Sequence, residues 1–476
     1  MTWVNSMAIK KIIGSNFDDF KEFCKKNDDR PYLMLRKARL IPVSKFGLEM
    51  SLTSVFLSAV KLVKEFRENF LSEIGMSATG KTYVYTEVTF PNQSSEKRID
   101  GMIITVKGNK ISDVALLEMK NGNNTLCKEQ IEDYIKIAKE WGVHRLITVS
   151  NEYVLHPTQS PLKIKLPKDF SLYHFSWTNI LTIARLLLFK SKTTPNGKID
   201  DADQIEIMNE VVSYWESDGS GVCGFTSMKD SWKRTGEAIA KNLTLSADDT
   251  RDAITSWHQE EKDMALKLSR ELGVLVKIKN AKSKKTFSEL IEETTREFGI
   301  SKQLKSQLCI KDAVSDISIV ADASQKKIVM SVSLDAPTDK GARGKVTWIK
   351  KQVENCINKI AKINNPAIFD ENFFAALSKD IAIFVGVKHS RSMMGFSLRD
   401  LDDNFDQLKD KDITRFDIVC DRDLGRDFYA PKKFVEEIEK MLLHFYAGIV
   451  QNLSAYHQPS PKMPTVSDTE QKIDAE

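Results

Sequence analysis

The apolar positions between residues 102 and 117 predict a β-hairpin. Residues 102–106 and 114–117 are both rich in strand-forming side chains. Between them, residues 108–110 read Gly-Asn-Lys, a short glycine-containing sequence of the kind that joins two antiparallel strands. The N-terminal part of the chain is therefore expected to contain a tight antiparallel pair.

Three charged side chains lie at the open end of this predicted hairpin. With the turn centred on Asn109, Asp100 faces Glu118 across the two strands, and directly opposed like charges repel. Lys120 follows Glu118 by two residues, so the strand's period of two places both on one face. A divalent metal that the two carboxylates share would explain why they are held together.

The donor set indicates which metal and which chemistry to expect. A few carboxylate oxygens suit Mg²⁺ or Mn²⁺, which keep several waters and take further oxygens from a substrate phosphate. Such an ion polarises the phosphoryl oxygen and lowers the pKa of a bound water. A nearby ammonium can orient that water, help to deprotonate it, or offset the charge that develops on phosphorus. An Asp, a Glu-x-Lys and a metal are thus a minimal set for hydrolysing a phosphodiester.

Predicted elements on both sides extend the hairpin into an α/β domain. Residues 82–90 alternate between apolar and polar types, which predicts a preceding strand. Residues 126–141 predict a helix that ends at Gly142, and residues 144–149 predict a further strand.

The charged residues and the following helix together resemble a known superfamily. Asp100 followed by Glu118-Met119-Lys120 resembles the motif of the PD-(D/E)xK, or restriction-endonuclease-like, nucleases, although Ile99 stands where the motif has proline. Gln130 and Tyr134 lie one helical turn apart and are similar to the Gln-x-x-x-Tyr element that some branches carry beside the metal site. The resemblance implies a mixed sheet flanked by helices, a Mg²⁺ or Mn²⁺ cofactor and cleavage of nucleic acid, with DNA favoured over RNA.

A further carboxylate is expected from the helix that precedes these strands. Residues 47–75 carry an apolar stripe at helical spacing, and Glu49 falls at its edge. A glutamate there is expected only where something pairs with it, and its surroundings look like the helix entry of the superfamily. We therefore predict that Glu49, Asp100 and Glu118 hold the metal, with Glu87 on the preceding strand as the alternative to Glu49.

Each of these signals also has an ordinary structural explanation. Asp100 can end a strand, and Glu118 with Lys120 can form a solvated ion pair. Gln130 and Tyr134 can belong to an unremarkable helix face. A bare Asp…Glu-x-Lys occurs by chance in many proteins, so the prediction depends on the apolar strands and the helix around it.

Composition bounds the class of protein. A chain of 476 residues is expected to form two or three domains. It contains no apolar run long enough for a membrane helix, and its first residues are too polar for a secretory signal. Its six scattered cysteines lack metal-binding spacing and indicate reduced thiols in the cytoplasm. The net charge of +4 is too nearly balanced to indicate a nucleic-acid partner by itself.

The predicted fold class is multidomain α/β, with an N-terminal restriction-endonuclease-like mixed sheet. The linker-like composition of residues 191–197 sets the first boundary, and the prolines and polar residues near the end of the chain set the last. The predicted parts are a nuclease-like domain (1–192), a helical bridging segment (193–272), a C-terminal α/β domain (273–456) and a disordered tail (457–476).

Two basic segments outside the hairpin are candidates for contacts with phosphate. Lys340, Arg343 and Lys345 precede and begin a predicted helix in the C-terminal domain, where backbone donors and cations can bind an anion. The second is the entry segment 1–45, whose basic cluster could lie on a nucleic-acid backbone and consists of Lys10-Lys11, Lys25-Lys26 and residues 36–39, Arg-Lys-Ala-Arg. In both places a solvated surface is the more frequent explanation.

The sequence thus predicts a metal-dependent nuclease whose partner is nucleic acid and not a membrane. By analogy it serves in restriction, antiphage defence or repair. Two other readings stay open. The chain can be a binding or scaffold protein that kept the fold and lost catalysis, or an effector whose C-terminal domain senses a ligand or a partner. A protein partner and self-association are also left open.

Overall fold

A computed structural model describes most of the chain. The described residues are 11–25, 32–37, 40, 48–91, 98–189, 199–279, 281, 285–359, 369–455 and 458–459. The chain divides into two compact units. Unit 1 comprises Met1–Gly224 and Lys284–Ser288, and unit 2 comprises Phe225–Ser283 and Glu289–Glu476.

Unit 1 is built on one mixed sheet with its strands in chain order. Its elements are α1 (Phe17–Phe23), β1 (Met34–Lys37), α2 (Glu49–Leu62), α3 (Lys64–Glu73), β2 (Lys81–Thr89), β3 (Ile99–Lys107), β4 (Lys110–Met119), α4 (Lys128–Glu140), β5 (Arg145–Ser150), β6 (Ser171–Ser176), α5 (Trp177–Leu188) and α6 (Ala202–Glu216). Strands β1 to β4 are antiparallel, and β4, β5 and β6 are parallel. The predicted mixed α/β class is therefore confirmed.

Both faces of this sheet are covered by helices. Ile103 and Leu117 belong to the core that the sheet forms with α2, α3, α5 and α6. Met102 and Leu116, one residue away on the same strands, belong to the core formed with α1 and α4. Each such buried side chain stabilises the unit by about 1.5–3 kcal/mol. Burial on both faces explains why β3 and β4 read as nearly continuous apolar runs.

The long helix expected over residues 47–75 is two helices. Val63 has an extended backbone (φ −101°, ψ 112°) and separates α2 from α3. Its side chain is fully buried, so the apolar stripe continues across the break and does not reveal it. Residues 51–60 are all buried, which makes α2 a core helix and not an amphipathic surface helix.

The turn between β3 and β4 differs slightly from the one expected. Gly108 and Asn109 both have positive φ angles, 51° and 62°, and they form a two-residue turn closed by the pair Lys107 and Lys110. The turn is therefore centred between Gly108 and Asn109 and not on Asn109. By itself this would shift the register by one residue and change which side chains share a face.

A β-bulge restores the expected register. Ser112 is the extra residue, and its hydroxyl donates a 3.1 Å hydrogen bond to a carbonyl of β3. Beyond the bulge Gly101 pairs with Leu117. Asp100 and Glu118, the next residues outward, consequently stand opposite each other at the end of the hairpin.

Unit 2 contains a second sheet, which is antiparallel and seven-stranded in the order β12-β11-β13-β10-β9-β8-β7. Its elements are α7 (Asp230–Ala240), α8 (Ala247–Leu272), β7 (Val276–Ile278), α9 (Phe287–Ser301), β8 (Gln303–Ile310), β9 (Ile317–Asp322), β10 (Lys327–Asp335), α10 (Ala342–Lys359), α11 (Glu371–Ser378), β11 (Ala382–Val387), β12 (Met394–Ser397), β13 (Ile413–Asp423) and α12 (Pro431–Gly448), followed by the short pair β14 (Ser454–Ala455) and β15 (Gln458–Pro459).

The helices expected to bridge two domains are divided between the units and do not form a third body. Trp215 of α6 packs against Phe66 and Trp177 in unit 1. Trp232 of α7 packs against Phe434 in unit 2. The predicted linker and nearly all of the predicted tail lie outside the described residues. In the part of the chain that is described, no helix is long and apolar enough to cross a membrane.

One acidic side chain of unit 2 is buried without a partner. Glu260, on α8, is fully buried, and neither of its carboxylate oxygens has a hydrogen bond among the described residues. Burial raises the pKa of Glu260 well above its usual range, and the nearby charges of Glu439 and Asp263 raise it further. Lys267, which lies 2.7 Å from Glu439, offsets only part of this effect. Glu260 therefore favours the protonated form.

We expect Glu260→Gln to stabilise the protein increasingly as the pH rises. The folded protein holds a proton that the unfolded chain loses above a pKa of about 4.3. Wild-type stability therefore falls with pH through this window, by up to about 1.4 kcal/mol per pH unit from this group. Glu260→Gln lacks this loss. Its unfolding free energy, measured by urea titration, should therefore exceed that of the wild type by an amount that grows between about pH 5 and pH 8.

Glu237→Gln is the matched control, because Glu237 is exposed on the neighbouring helix α7. Its unfolding free energy should follow that of the wild type across the same pH range. A gain in unfolding free energy of Glu260→Gln that stays constant with pH would contradict a protonated, buried Glu260.

Candidate active site

The predicted acidic pair lies where β3 and β4 end. Glu118 is fully buried, whereas Asp100 is partly buried. Asp100 Oδ2 accepts a 2.8 Å hydrogen bond from the backbone N–H of Met119, which ties the carboxylate to the neighbouring strand. The backbone N–H of Lys120 donates to the Val149 carbonyl at 2.7 Å, so the chain is also held just after β4. Backbone N–H groups of Met119 and Lys120 thus fix the Asp100 carboxylate and the end of β4.

Lys120 joins two of the predicted metal ligands. Its Nζ lies 2.7 Å from Glu118 Oε1 and 3.2 Å from Glu49 Oε2. Glu49 is the first residue of α2, where the helix dipole favours a carboxylate. Asn124, in the loop after β4, donates a 2.6 Å hydrogen bond to Glu49 Oε1. The Lys120 carbonyl in turn accepts the indole N–H of Trp177 at 2.7 Å.

Glu118 lacks the partners that a buried carboxylate normally has. Neither of its oxygens makes a hydrogen bond of good geometry within the described residues, and its one ionic contact is the Lys120 ammonium at Oε1. Buried polar atoms are almost always satisfied, so a proton shared with Asp100, a water or an ion is expected at this carboxyl.

The residues present fit a hard divalent cation by type. The set consists of carboxylate oxygens from Asp100, Glu118 and Glu49, which Mg²⁺ and Mn²⁺ prefer. Within the described part of the chain, however, no three His, Cys, Asp or Glu side chains are arranged to hold an ion as they stand. The Lys120 ammonium lies between Glu118 and Glu49 and supplies positive charge there.

The electrostatics of the cluster determine which groups carry protons. Burial raises the pKa of Asp100 to about 6, although the Met119 N–H and the charge of Lys120 lower it in part. Burial also raises the pKa of Glu118 well above its usual range, and the Asp100 charge adds to this. For Lys120, burial lowers the pKa, but Glu118, Asp100 and Glu49 together outweigh it and raise the pKa overall. Lys120 therefore remains an ammonium at neutral pH, which suits it for stabilising charge and not for accepting a proton.

The alternative ligand Glu87 is engaged elsewhere. Its side chain is only 9% exposed, and its carboxylate lies 3.1 Å from Arg98 Nε and 3.4 Å from Arg36 Nη1. Glu49 is the upstream glutamate whose carboxylate lies beside Lys120.

Gln130 and Tyr134 support the backbone of the site. Gln130 Nε2 donates to the Tyr134 hydroxyl at 2.9 Å, and this hydroxyl donates to the Arg98 carbonyl at 2.9 Å. Burial, with the nearby charge of Glu118, raises the pKa of Tyr134, so its hydroxyl keeps its proton. The pair thereby holds the start of β3, two residues before Asp100.

The basic residues predicted at the start of α10 are mostly engaged within unit 2. Lys345 is buried, and its Nζ donates a 2.7 Å hydrogen bond to the Ile413 carbonyl. Arg343 lies over the Phe405 ring, with 4.7 Å between its Cζ and the ring centroid, while Lys340 is exposed. Lys345 is therefore a structural cation and not a surface contact for phosphate, because its ammonium satisfies a strand carbonyl.

Several polar residues around the acidic pair were not anticipated. Thr148 of β5 is the ladder neighbour of Glu118, and His174 of β6 is the neighbour of Thr148. The Thr148 hydroxyl lies 3.0 Å from His174 Nδ1. Burial lowers the pKa of His174 to about 4, which keeps the imidazole neutral. Thr148 lies on a predicted strand, but only the register between strands shows that Thr148 and His174 form one row with Glu118.

Comparisons of the chain with protein-family models, with curated proteins and with solved structures give no match.

Tyr134→Phe tests the support of β3. The variant leaves the Arg98 carbonyl without its side-chain donor, so the free energy of unfolding should fall by about 1–2 kcal/mol. Urea unfolding of the full chain measures this difference.

Tyr83→Phe is the control, because no hydrogen bond of the Tyr83 hydroxyl occurs among the described residues and the ring packs on Phe17. It should change stability by less than about 0.5 kcal/mol. Equal effects of the two substitutions would show that the Tyr134 hydroxyl does not brace the strand.

Proposed function

We propose that unit 1 is a metal-dependent nuclease of the PD-(D/E)xK type that hydrolyses phosphodiester bonds, with DNA preferred over RNA. One observation carries the proposal. The fully buried Glu118 carboxyl contacts the Lys120 ammonium at 2.7 Å and lies beside Asp100, at the ends of two paired strands. Burial opposes the ionisation of both acidic groups, and a divalent cation is the partner that would favour their charged forms. The mixed sheet with helices on both faces is also the architecture that the resemblance implies.

The chain's own residues divide the work between binding and charge stabilisation. Asp100 and Glu118 would hold Mg²⁺ or Mn²⁺, and Glu49 would complete the set. When bound, such an ion supplies Lewis-acid polarisation of the phosphate and a more acidic water. Lys120 carries positive charge that can stabilise the developing negative charge on a substrate phosphate. Gln130 and Tyr134 keep the end of β3, and hence Asp100, in place.

A second α/β unit on the same chain supports regulated cleavage, as in restriction, antiphage defence or repair, by analogy alone. In that reading unit 2 senses a ligand or a partner and the nuclease is its effector.

One observation favours a catalytically silent binding protein instead. The Lys120 ammonium forms ion pairs with the carboxylates of both Glu118 and Glu49. An internal cation at this place can take the position of a metal permanently. The two candidate functions differ in whether Mg²⁺ binds and whether nucleic acid is cut.

Cleavage assays with site variants decide between them. The purified full chain should cut DNA in the presence of Mg²⁺ or Mn²⁺ and not in the presence of a chelator. Asp100→Ala and Lys120→Ala should each lower the rate by at least about 100-fold, because the first removes a metal ligand and the second removes a cation that stabilises charge on the phosphate. RNA is assayed in parallel to test the preference.

Asp133→Ala is the control for Asp100→Ala, and Lys128→Ala is the control for Lys120→Ala. Each removes a charge of the same sign as its counterpart, but from the surface of α4. They should cut at the wild-type rate. Cleavage that survives both Asp100→Ala and Lys120→Ala would separate the activity from this site, and the absence of any cleavage would favour the binding protein.

The stabilising effect of Mg²⁺ should depend on pH. Because the pKa of Asp100 is raised to about 6 and that of Glu118 is also raised, protons compete with the metal in mildly acidic solution. The same shifts mean that ionisation of the buried carboxyl groups lowers stability as the pH rises through these values. Saturating Mg²⁺ should therefore raise the melting temperature more at about pH 8 than at about pH 5.5.

Glu118→Gln should abolish this difference, and Glu237→Gln should leave it intact. A melting temperature that responds equally to Mg²⁺ at both pH values would contradict metal binding by the acidic pair.

A further inference from the structure

We propose that Arg36 and Arg98 form a second anion site, which binds a backbone phosphate of the DNA other than the one that is cut. This inference rests on the proposed function and deepens it. It names a substrate contact that the metal-site motif does not contain, and it assigns Glu87 as the residue that positions the two arginines.

The first observation is the backbone conformation of Glu87. Its φ angle is +58°, a left-handed conformation that non-glycine residues adopt rarely, and it occurs inside a strand. The register between β1 and β2 shifts at this point, so Glu87 lies at a bulge. Bulges re-aim side chains, and such backbone outliers concentrate at functional positions.

The second observation is what the re-aimed carboxylate contacts. The buried carboxylate of Glu87 lies beside two guanidinium groups, at 3.1 Å from Arg98 and 3.4 Å from Arg36. The arginines themselves remain 50% and 73% exposed. Each guanidinium has five N–H donors, and one shared carboxylate cannot accept from all of them. The cluster therefore keeps a net charge of +1 and has exposed donors in the fork geometry that matches phosphate.

The third observation is the place of this cluster in the sheet. Thr86 pairs with Gly101 and Val88 pairs with Ile99, so Glu87 lies between two pairs that flank Asp100 on the neighbouring strand. Arg98 precedes Asp100 by two residues, and its carbonyl accepts the hydrogen bond of Tyr134. The same brace that holds the acidic pair therefore also holds one of the arginines.

A plain structural explanation makes a different prediction. If the arginines only neutralise Glu87, removing them harms the protein through the unpaired glutamate, and removing Glu87 as well cancels the harm. If they bind phosphate, removing Glu87 cannot restore the lost contacts. The triple variant Glu87→Gln/Arg36→Gln/Arg98→Gln separates the two.

The experiment measures binding of a fluorescently labelled DNA duplex to the full chain by anisotropy, over a series of salt concentrations and without divalent metal. Arg36→Gln/Arg98→Gln should weaken binding by about tenfold or more. It should also reduce the slope of log affinity against log salt concentration by about 1–2. A variant that neutralises fewer phosphate charges releases fewer counterions when it binds. The triple variant should remain as weak as the double variant.

Arg185→Gln is the matched control. Arg185 is 45% exposed and pairs through two of its nitrogens with a single carboxylate, that of Glu216. Arg185→Gln removes one positive charge and one surface ion pair. The affinity for DNA should nevertheless change by less than about twofold, and the salt slope by less than a few tenths.

The outcomes distinguish this inference from the nuclease proposal. The anion site is wrong if the double variant binds DNA like Arg185→Gln, or if the triple variant recovers wild-type binding. The nuclease proposal still stands in that case, provided that the wild type cuts DNA and Asp100→Ala does not. If the wild type does not cut DNA, yet the double and triple variants bind weakly, the nuclease is wrong and the anion site stands.

Discussion

The hydrogen-bonded pairing of β3 with β4 is the constraint on which the candidate site depends. A slip of one residue would turn Glu118 to the other face of the sheet and separate it from Asp100. The two-residue turn at Gly108 and Asn109 introduces such a slip, and the bulge at Ser112 reverses it. The hydrogen bond from the Met119 N–H to Asp100 then closes the open end of the hairpin. The site thus depends on two compensating irregularities in an otherwise regular ladder.

That pairing buries acidic groups together, which is electrostatically unfavourable. Glu118 and Glu260, both fully buried, differ in how their charge is compensated. In unit 1, Lys120 lies between Glu118 and Glu49, and its ammonium offsets the charge that burial disfavours. In unit 2, Glu260 has no comparable cation in contact, because Lys267 is paired with Glu439. Neutralisation by a proton is therefore the simplest solution for Glu260. A cation, internal or bound, is the solution that the geometry around Glu118 offers.

Support for the acidic pair comes from elements on both faces of the sheet. From one face Trp177 at the start of α5 bonds to the Lys120 carbonyl, and Glu49 enters from α2. From the other, Tyr134 of α4 bonds to the Arg98 carbonyl. Few of these contacts involve a charged atom directly. They position the backbone at the ends of β3 and β4, which is how a site on regular elements is kept rigid.

The elements that local periodicity reports follow from the sequence alone. The strands and helices from β2 to β5 lie close to where alternation, helical spacing and the glycine after α4 predict them, because such patterns reflect which face is buried. Asp100, Glu118 and Lys120 could be grouped because a hairpin is a local structure. The other features depend on contacts that form only when the chain is folded. The break at Val63, the left-handed Glu87, the row from Glu118 to His174 and the burial of Lys345 arise from contacts between residues distant in sequence, which no local pattern records.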